Sequence, residues 1–382
     1  MSKIVFVLGA GASTHCGTPL MNNFLDVARN LWRSGELEES EKDFEDVFTA
    51  IGYLNEVHSK AKISFNNIEA VFTAFEMGKL IGKLPRIKGK KHITRLLNSL
   101  KVVIGYTLER TMQLKKTGNT SAPTTYYDFA GIIENLLKQK KECSIITFNY
   151  DLGLDYSLYE RNIVPDYGIG DIDLENKRKV KLLKLHGSLN WGVCTNKRCK
   201  QQISPFRQFR YTGYYPTEQI SILPIVSNLN KGQLCKTCQH PLEKTPFIVP
   251  PTWNKTSFHG QIEKVWEQAA KVLKDAEDIV VIGYSLPSTD WFFNYLFALG
   301  VDMTTPANGF YVYDIDEGVF EKFKNILGQD FEHKFYPCNI SFEHAVRQTG
   351  RELGFSIKTI PQILNIKNES SNKIHVIQPK GS

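Results

Sequence analysis

The chain has 382 residues, enough for one large core with insertions or for two domains, and its 42% hydrophobic and 23% charged content is that of an ordinary folded protein. No apolar run approaches the length of a membrane span and the N-terminus enters a strand without a charged leader, so no membrane association and a cytoplasmic location are expected. The net charge of +7 is unevenly distributed: residues 36–46 are acidic, whereas Lys79 to Lys116 holds a single acid, Glu109, among many Lys and Arg. That basic segment reads either as a solvated helical face or as a surface for nucleic acid or an acidic partner.

In chain order, Ile4-Val-Phe-Val-Leu8 is a short apolar run that suits a strand buried on both faces of a parallel sheet. It runs straight into Gly9-Ala10-Gly11-Ala-Ser13, where the missing side chains allow close approach to the backbone. Helical periodicity from Pro19 onward predicts amides free to face a pyrophosphate. The same glycines also suit mere tight packing, and Ser13 and Thr14 stand where the third glycine of a dinucleotide-binding loop belongs. Residues 35–125 then read as a helical insertion, with Pro85 and Gly89 separating two periodic stretches.

The core resumes with a helix, Tyr127 to Lys140, and a strand from Cys143 to Phe148 that ends in Asn149-Tyr-Asp151. A strand from Val180 to Leu185 ends in His186-Gly-Ser188, and residues 191–245 form a second insertion with little helix. After a helix from Ile262 to Ala276, the strand Asp278 to Ile282 ends in Gly283-Tyr-Ser285 and the strand Gly309 to Tyr313 ends in Asp314-Ile-Asp316. Five apolar strands, each ending in a polar or glycine-bearing turn, predict an α/β fold: a Rossmann-like open parallel sheet with a helical insertion and a cysteine-bearing, zinc-ribbon-like insertion. One domain, 1–350, is expected, with a tail at 351–382 in which Ser356 to Ile360 and Ile374 to Ile377 suit short strands; the tail reads as an oligomer contact or a loosely held end. In such sheets ligands bind outside the carboxyl ends of the strands, where Gly9 to Ser13, Asn149, Asp151, His186, Ser285 and Asp314 all fall.

Four of the seven cysteines form two pairs, Cys194 with Cys199 and Cys235 with Cys238. Four thiolates suit a closed tetrahedral zinc site, structural because no coordination position stays open. Reduced unliganded thiols and a disulfide are the alternatives.

The order Gly9-Ala-Gly-Ala-Ser13, Gly17-x-Pro19, Thr147-x-Asn149-x-Asp151, His186-Gly187, two cysteine pairs, Gly283-x-Ser285 resembles that of the sirtuins. The resemblance implies an NAD-binding core in which Gly9, Ala10, Gly11 and Ser13 hold the pyrophosphate. Asn149 and Asp151 would then lie near the nicotinamide and its ribose, Thr147 would be among the cofactor-binding residues, and His186 would be the catalytic base. Gly283, Ser285 and Asp314 would line the adenosine side. Chemistry agrees: an amide can bond a ribose hydroxyl or position water, a carboxylate favours a growing cation, and a histidine takes a proton near neutrality. Each residue also has a structural reading: Asn149 as a helix cap, Asp151 as a solvated helix-start carboxylate, His186 as a packed strand-end histidine.

Protein-deacylating sirtuins follow Gly-x-Pro with Asp-Phe-Arg, where this chain has Leu20-Met21-Asn22. They also carry Phe-Gly-Glu where it has Phe247-Ile-Val-Pro-Pro-Thr-Trp253. The pattern is more similar to sirtuin-like NAD-consuming proteins of bacterial anti-phage defence, most of all the HerA-associated type. That likeness implies an NAD glycohydrolase working as a homo-oligomer with a partner ATPase of HerA type, and contact with nucleic acid through the partner or the basic segment. The alternatives are an NAD-dependent protein deacylase or ADP-ribosyl transferase, and a non-catalytic module that senses NAD or ADP-ribose.

Overall fold

The computed structural model of the chain describes residues 3–35, 37–56, 65–112, 124–170, 178–206, 209–212, 219–222, 229, 232–249, 256–287, 290–300, 308–328, 331 and 333–352. Its centre is β1 (Lys3–Leu8), buried from Ile4 onward. A 3₁₀ helix at Ala10–Cys16 follows, closed by Gly17 in the left-handed region, and α1 (Phe24–Arg33) starts later than the periodicity from Pro19 suggests. The helical insertion comprises α2 (Glu41–Asn55), α3 (Ile68–Ile81), a two-residue hairpin of β2 (Lys83–Leu84) and β3 (Ile87–Lys88), and α4 (Lys90–Thr111). Both α2 and α3 pack on α4. Asn67 caps α3 by accepting the Glu69 N–H at 2.7 Å.

The chain returns to the sheet through α5 (Thr124–Lys138), β4 (Glu142–Thr147), α6 (Gly153–Glu160), β5 (Ile163–Asp166) and β6 (Arg178–Lys184). The second insertion holds β7 (Gly187–Cys194), β8 (Ile203–Pro205), the hairpin β9 (Phe209–Thr212) and β10 (Gln219–Ile222), and β11 (Leu242–Ile248). Last come α7 (Thr256–Lys274), β12 (Asp278–Ile282), α8 (Trp291–Gly300), β13 (Gly309–Asp314), α9 (Gly318–Lys324), β14 (Phe335–Asn339) and α10 (Phe342–Glu352). The short C-terminal strands expected at Ser356 to Ile360 and Ile374 to Ile377 lie outside the described residues. Among the described residues no helix is long and apolar enough to cross a membrane.

The main sheet has seven parallel strands in the order β14-β13-β12-β1-β4-β6-β5 among the described residues. Five of them are the strands expected from sequence. The other two, β5 and β14, each carry a proline, Pro165 and Pro337, and both lie at an edge. A proline removes a ladder donor and demotes a run in a sequence reading, yet an edge strand tolerates it because one side makes no ladder bond.

Helices cover both faces of the sheet, as parallel strands require. Phe6, in register with Val280 and Tyr311, meets Phe129 of α5 edge-on at 5.1 Å. The next row, Val5, Ile279 and Phe310, faces the other way, and Phe310 meets Phe297 of α8 at 5.6 Å. A smaller antiparallel sheet, β11-β7-β8, stands beside this core, and every residue of β7 is buried. At its start Gly187 has φ +81°, and a Cβ there would overlap the Phe247 carbonyl, so β11 crosses directly over the residue that follows His186.

The turns after β1 and β12 interlock. Gly9 N–H donates to Ile282 O at 3.1 Å, Gly11 N–H to Gly283 O at 2.9 Å, and Gly283 N–H to Tyr313 O at 3.0 Å. Gly283 has φ +60°, and a Cβ on it would lie 2.5 Å from Ala12 N. Substituting Gly283→Ala is therefore expected to destabilise the protein by about 1–3 kcal/mol, read as a lower midpoint of urea unfolding. An unchanged midpoint would show that the crossing is looser than described.

Candidate active site

The carboxyl ends of the central strands open onto one cavity of about 520 Å³, within the range of small-molecule sites. Ala10, Gly11, Ser13, Asn149, Asp151, His186, Gly283, Ser285 and Asp314 all line it. Gly9 and Thr147 lie behind its wall: the Thr147 hydroxyl donates to Leu8 O at 3.0 Å and accepts the Asn149 N–H at 3.1 Å, tying the ends of β1 and β4. The helical insertion supplies a largely apolar side through Ile68 of α3 and Ile104 and Leu108 of α4, joined by Leu20 and Met21, and brings Asn67 and Glu69 to the lining as well.

In the glycine loop the Gly9 and Gly11 amides are bonded to β12 and its turn, so these glycines serve the close crossing of two turns. What they offer a ligand is the absence of a side chain.

Ser13 is the hub of a buried network. Its hydroxyl donates to Asp151 Oδ2 at 2.7 Å, which uses its one proton. Tyr126 Oη at 2.7 Å and Asn149 Nδ2 at 2.9 Å must then donate to Ser13 Oγ. The second Asn149 N–H goes to Gly9 O at 2.7 Å. Both amide protons are thus committed to the protein, and the group Asn149 retains for a ligand is its carbonyl oxygen. Asp151 Oδ1 accepts the Gly153 N–H at 3.0 Å at the start of α6, so this carboxylate does stand at a helix start, though buried rather than solvated. Burial raises its pKa above the ordinary carboxylate range, and the Lys184 charge opposes that shift. Burial first, and the Asp151 charge second, push the Tyr126 phenol well above 10, which keeps it a donor.

Beneath Asp151 lies an ion pair absent from the sequence reading. Lys184 Nζ is 2.9 Å from Asp155 Oδ2, with side-chain exposures of 1% and 2%, and also donates to Asp151 O at 2.6 Å. Tyr167 Oη donates to Asp155 Oδ1 at 2.6 Å, and Asn190 Nδ2 to Tyr167 Oη at 3.2 Å. The available signal was a second lysine in the run Val180 to Leu185, after Lys181, placed two residues before His186.

His186 Nε2 is 3.1 Å from Asp290 Oδ1, both side chains 4% exposed. Tyr284 Oη donates to Asp290 Oδ2 at 3.1 Å. Phe148 stacks on Tyr284 at 4.1 Å and meets His186 edge-on at 5.1 Å. The His186 carbonyl accepts the Val249 N–H at 2.7 Å from the end of β11. Asp290 also lines the cavity, and sequence reasoning missed it although it lies only five residues after Ser285. At the far end, Asp314 Oδ1 accepts the Asp316 N–H at 2.9 Å, and burial raises the Asp314 pKa.

The four paired cysteines converge off this cavity. Their sulfurs all lie within 4.8 Å of one another, with Cys194 to Cys238 at 3.4 Å and Cys199 to Cys235 at 3.8 Å, and all four are free thiols. A tetrahedron with Zn–S bonds of about 2.3 Å has edges of about 3.8 Å, so the cluster is compatible with zinc. The thiols share their protons unevenly: the backbone N–H of His240 draws Cys238 down to about 6, whereas burial pushes Cys194 up to about 12.

No family model matches the chain, and no curated protein matches its sequence. Among solved structures it is similar to Sir2Tm bound to a propionylated peptide, at 14% identity and a TM-score of 0.39 over 92% of this chain and 94% of that one. A Sir2–p53 peptide–NAD+ complex matches at 13% identity and 0.39 over the same shares. A mutant Sir2 homologue in complex with 2′-O-acetyl ADP ribose matches at 12% and 0.42 over 94% and 95%.

The pair of Lys184 and Asp155 yields a stability prediction. Lys184→Met leaves Asp155 buried without its cation and is expected to cost about 3–5 kcal/mol in urea unfolding. Removing both charges in Lys184→Met/Asp155→Leu should recover part of that loss; a double variant no more stable than the single one would count against the pairing.

Proposed function

We propose that the chain is an NAD glycohydrolase that cleaves the nicotinamide–ribose bond with water, giving ADP-ribose, nicotinamide and a proton. The observation that carries this reading is that Asn149 and His186, from the ends of neighbouring strands, face one cavity with their orientations fixed by the protein. As neutral nicotinamide departs, positive charge gathers on the ribose. The Asn149 carbonyl oxygen can accept a bond from a ribose hydroxyl or the attacking water, and His186 takes the proton released when water adds at the anomeric carbon. Asp151 acts from behind Ser13, holding the hub and contributing negative charge beneath the cationic centre.

A specific observation weighs against protein deacylation. In the place where deacylating sirtuins carry Phe-Gly-Glu, Val249 donates its N–H to His186 O and accepts Tyr150 Oη at 2.8 Å. Its backbone is therefore occupied within the chain instead of being open to an extended peptide. Pro250 to Trp253 lie outside the described residues. Leu20, Met21 and Asn22, which replace the family's Asp-Phe-Arg, line the cavity. The defence role, the HerA-type partner ATPase and homo-oligomerisation are supported by the motif resemblance.

Purified protein, alone and with its partner ATPase, should release nicotinamide from NAD without any acylated peptide. Asn149→Ala and His186→Ala should each lower that release by about 100-fold or more in protein that still folds, checked by circular dichroism, with some loss of melting temperature because each leaves buried partners unpaired. NAD binding without release in every assembly state would leave a sensing module instead.

The second part of the proposal is that Cys194, Cys199, Cys235 and Cys238 hold a structural Zn2+. One zinc per chain is expected by elemental analysis, and a strong chelator should lower the melting temperature. Metal-free protein of unchanged stability would refute it.

A further inference from the structure

We propose that Asp290 is a positioning residue for His186: its carboxylate fixes the imidazole proton on Nε2, so that Nδ1 is the nitrogen that exchanges a proton during the reaction, and Tyr284 fixes how the carboxylate is held. The functional part of this inference rests on the hydrolase reading; the tautomer does not.

An ionised carboxylate can only accept, so the imidazole nitrogen 3.1 Å from Asp290 Oδ1 carries a hydrogen whether the ring is neutral or charged. Proton exchange is then confined to Nδ1. The pair is secured from several sides. Tyr284 donates to the other oxygen, Oδ2, and the Asp290 N–H bonds Pro287 O at 2.9 Å. Phe148 lies between them, stacked on the Tyr284 ring and edge-on to His186. The His186 backbone is pinned in turn by the Val249 N–H. Nothing in this set can rotate without breaking a buried contact.

The geometry makes an asymmetric substitution informative. In Asp290→Asn the new side chain has one oxygen and one NH2. Asp290 is the sole acceptor that the described residues give the buried Tyr284 hydroxyl, so the amide oxygen is expected to turn to Tyr284. The NH2 then faces Nε2, which has to accept, and the proton is driven to Nδ1. The histidine stays in place with the wrong tautomer. Adding Tyr284→Phe releases the amide to turn its oxygen back toward His186.

The test is long-range 1H–15N correlation spectroscopy on protein labelled at histidine, at a pH high enough to neutralise the ring, with His186 assigned from His186→Gln. Wild type should show the Nε2–H form, Asp290→Asn the Nδ1–H form, and Asp290→Asn/Tyr284→Phe a return toward Nε2–H. Nicotinamide release should fall about 100-fold in the single variant and recover in part in the double one. An Nδ1–H wild type overturns the proposal, and that spectrum needs no variant to fold. A tautomer that inverts with no loss of turnover overturns the positioning role. Wild-type protein that shows the expected tautomer but releases no nicotinamide removes the hydrolase reading and leaves the tautomer assignment standing.

Discussion

The cavity exists because two turns cross without side chains between them. The ends of β1 and β12, neighbours in the sheet, carry Gly9, Gly11 and Gly283, whose backbones bond one another directly. Connections diverge here: after β1 the sheet grows toward β4 on one side and toward β12 on the other, the place where open α/β sheets leave a crevice. Side chains at the crossing would push the turns apart and shift Ser13, which hangs from the same loop. Through Ser13 the constraint reaches Asn149, Asp151 and Tyr126.

Two buried carboxylates of α6 and its approach are treated differently, and the difference is physical. Asp155 meets the Lys184 ammonium directly and takes a second bond from Tyr167. Asp151 has only neutral donors, Ser13 and the Gly153 N–H, so burial dominates and its pKa rises. Lys184 links them by donating to the Asp151 carbonyl as well. The cation neutralises the deeper charge and leaves the one nearer the cavity less compensated.

Much of this was legible in the sequence where the signal is local. Strands of mainly apolar residues announced the sheet, and the polar residues at their ends announced the cavity, because in a parallel sheet all such ends lie on one side. The edge strands were hidden by Pro165 and Pro337, whose cost depends on a neighbour that sequence does not display. Asp290, Tyr126 and Lys184 were hidden for the same reason: each acquires its role from a partner far along the chain. The amides of Gly9 and Gly11 show the converse. Their spacing displays only the missing side chains, and it is the tertiary partner β12 that decides where those two donors go.

The helical insertion gives the cavity two unlike sides. Ser13, Asn149 and His186 form a polar floor, whereas Ile68, Ile104 and Leu108 face it with hydrocarbon. Such a boundary has low polarisability on one side, so the field of a charge on the floor is weakly screened in that direction and extends into the space between. The insertion thereby acts as an insulator broken at one point, the start of α3, where Asn67 and the carboxylate-bearing Glu69 also line the cavity.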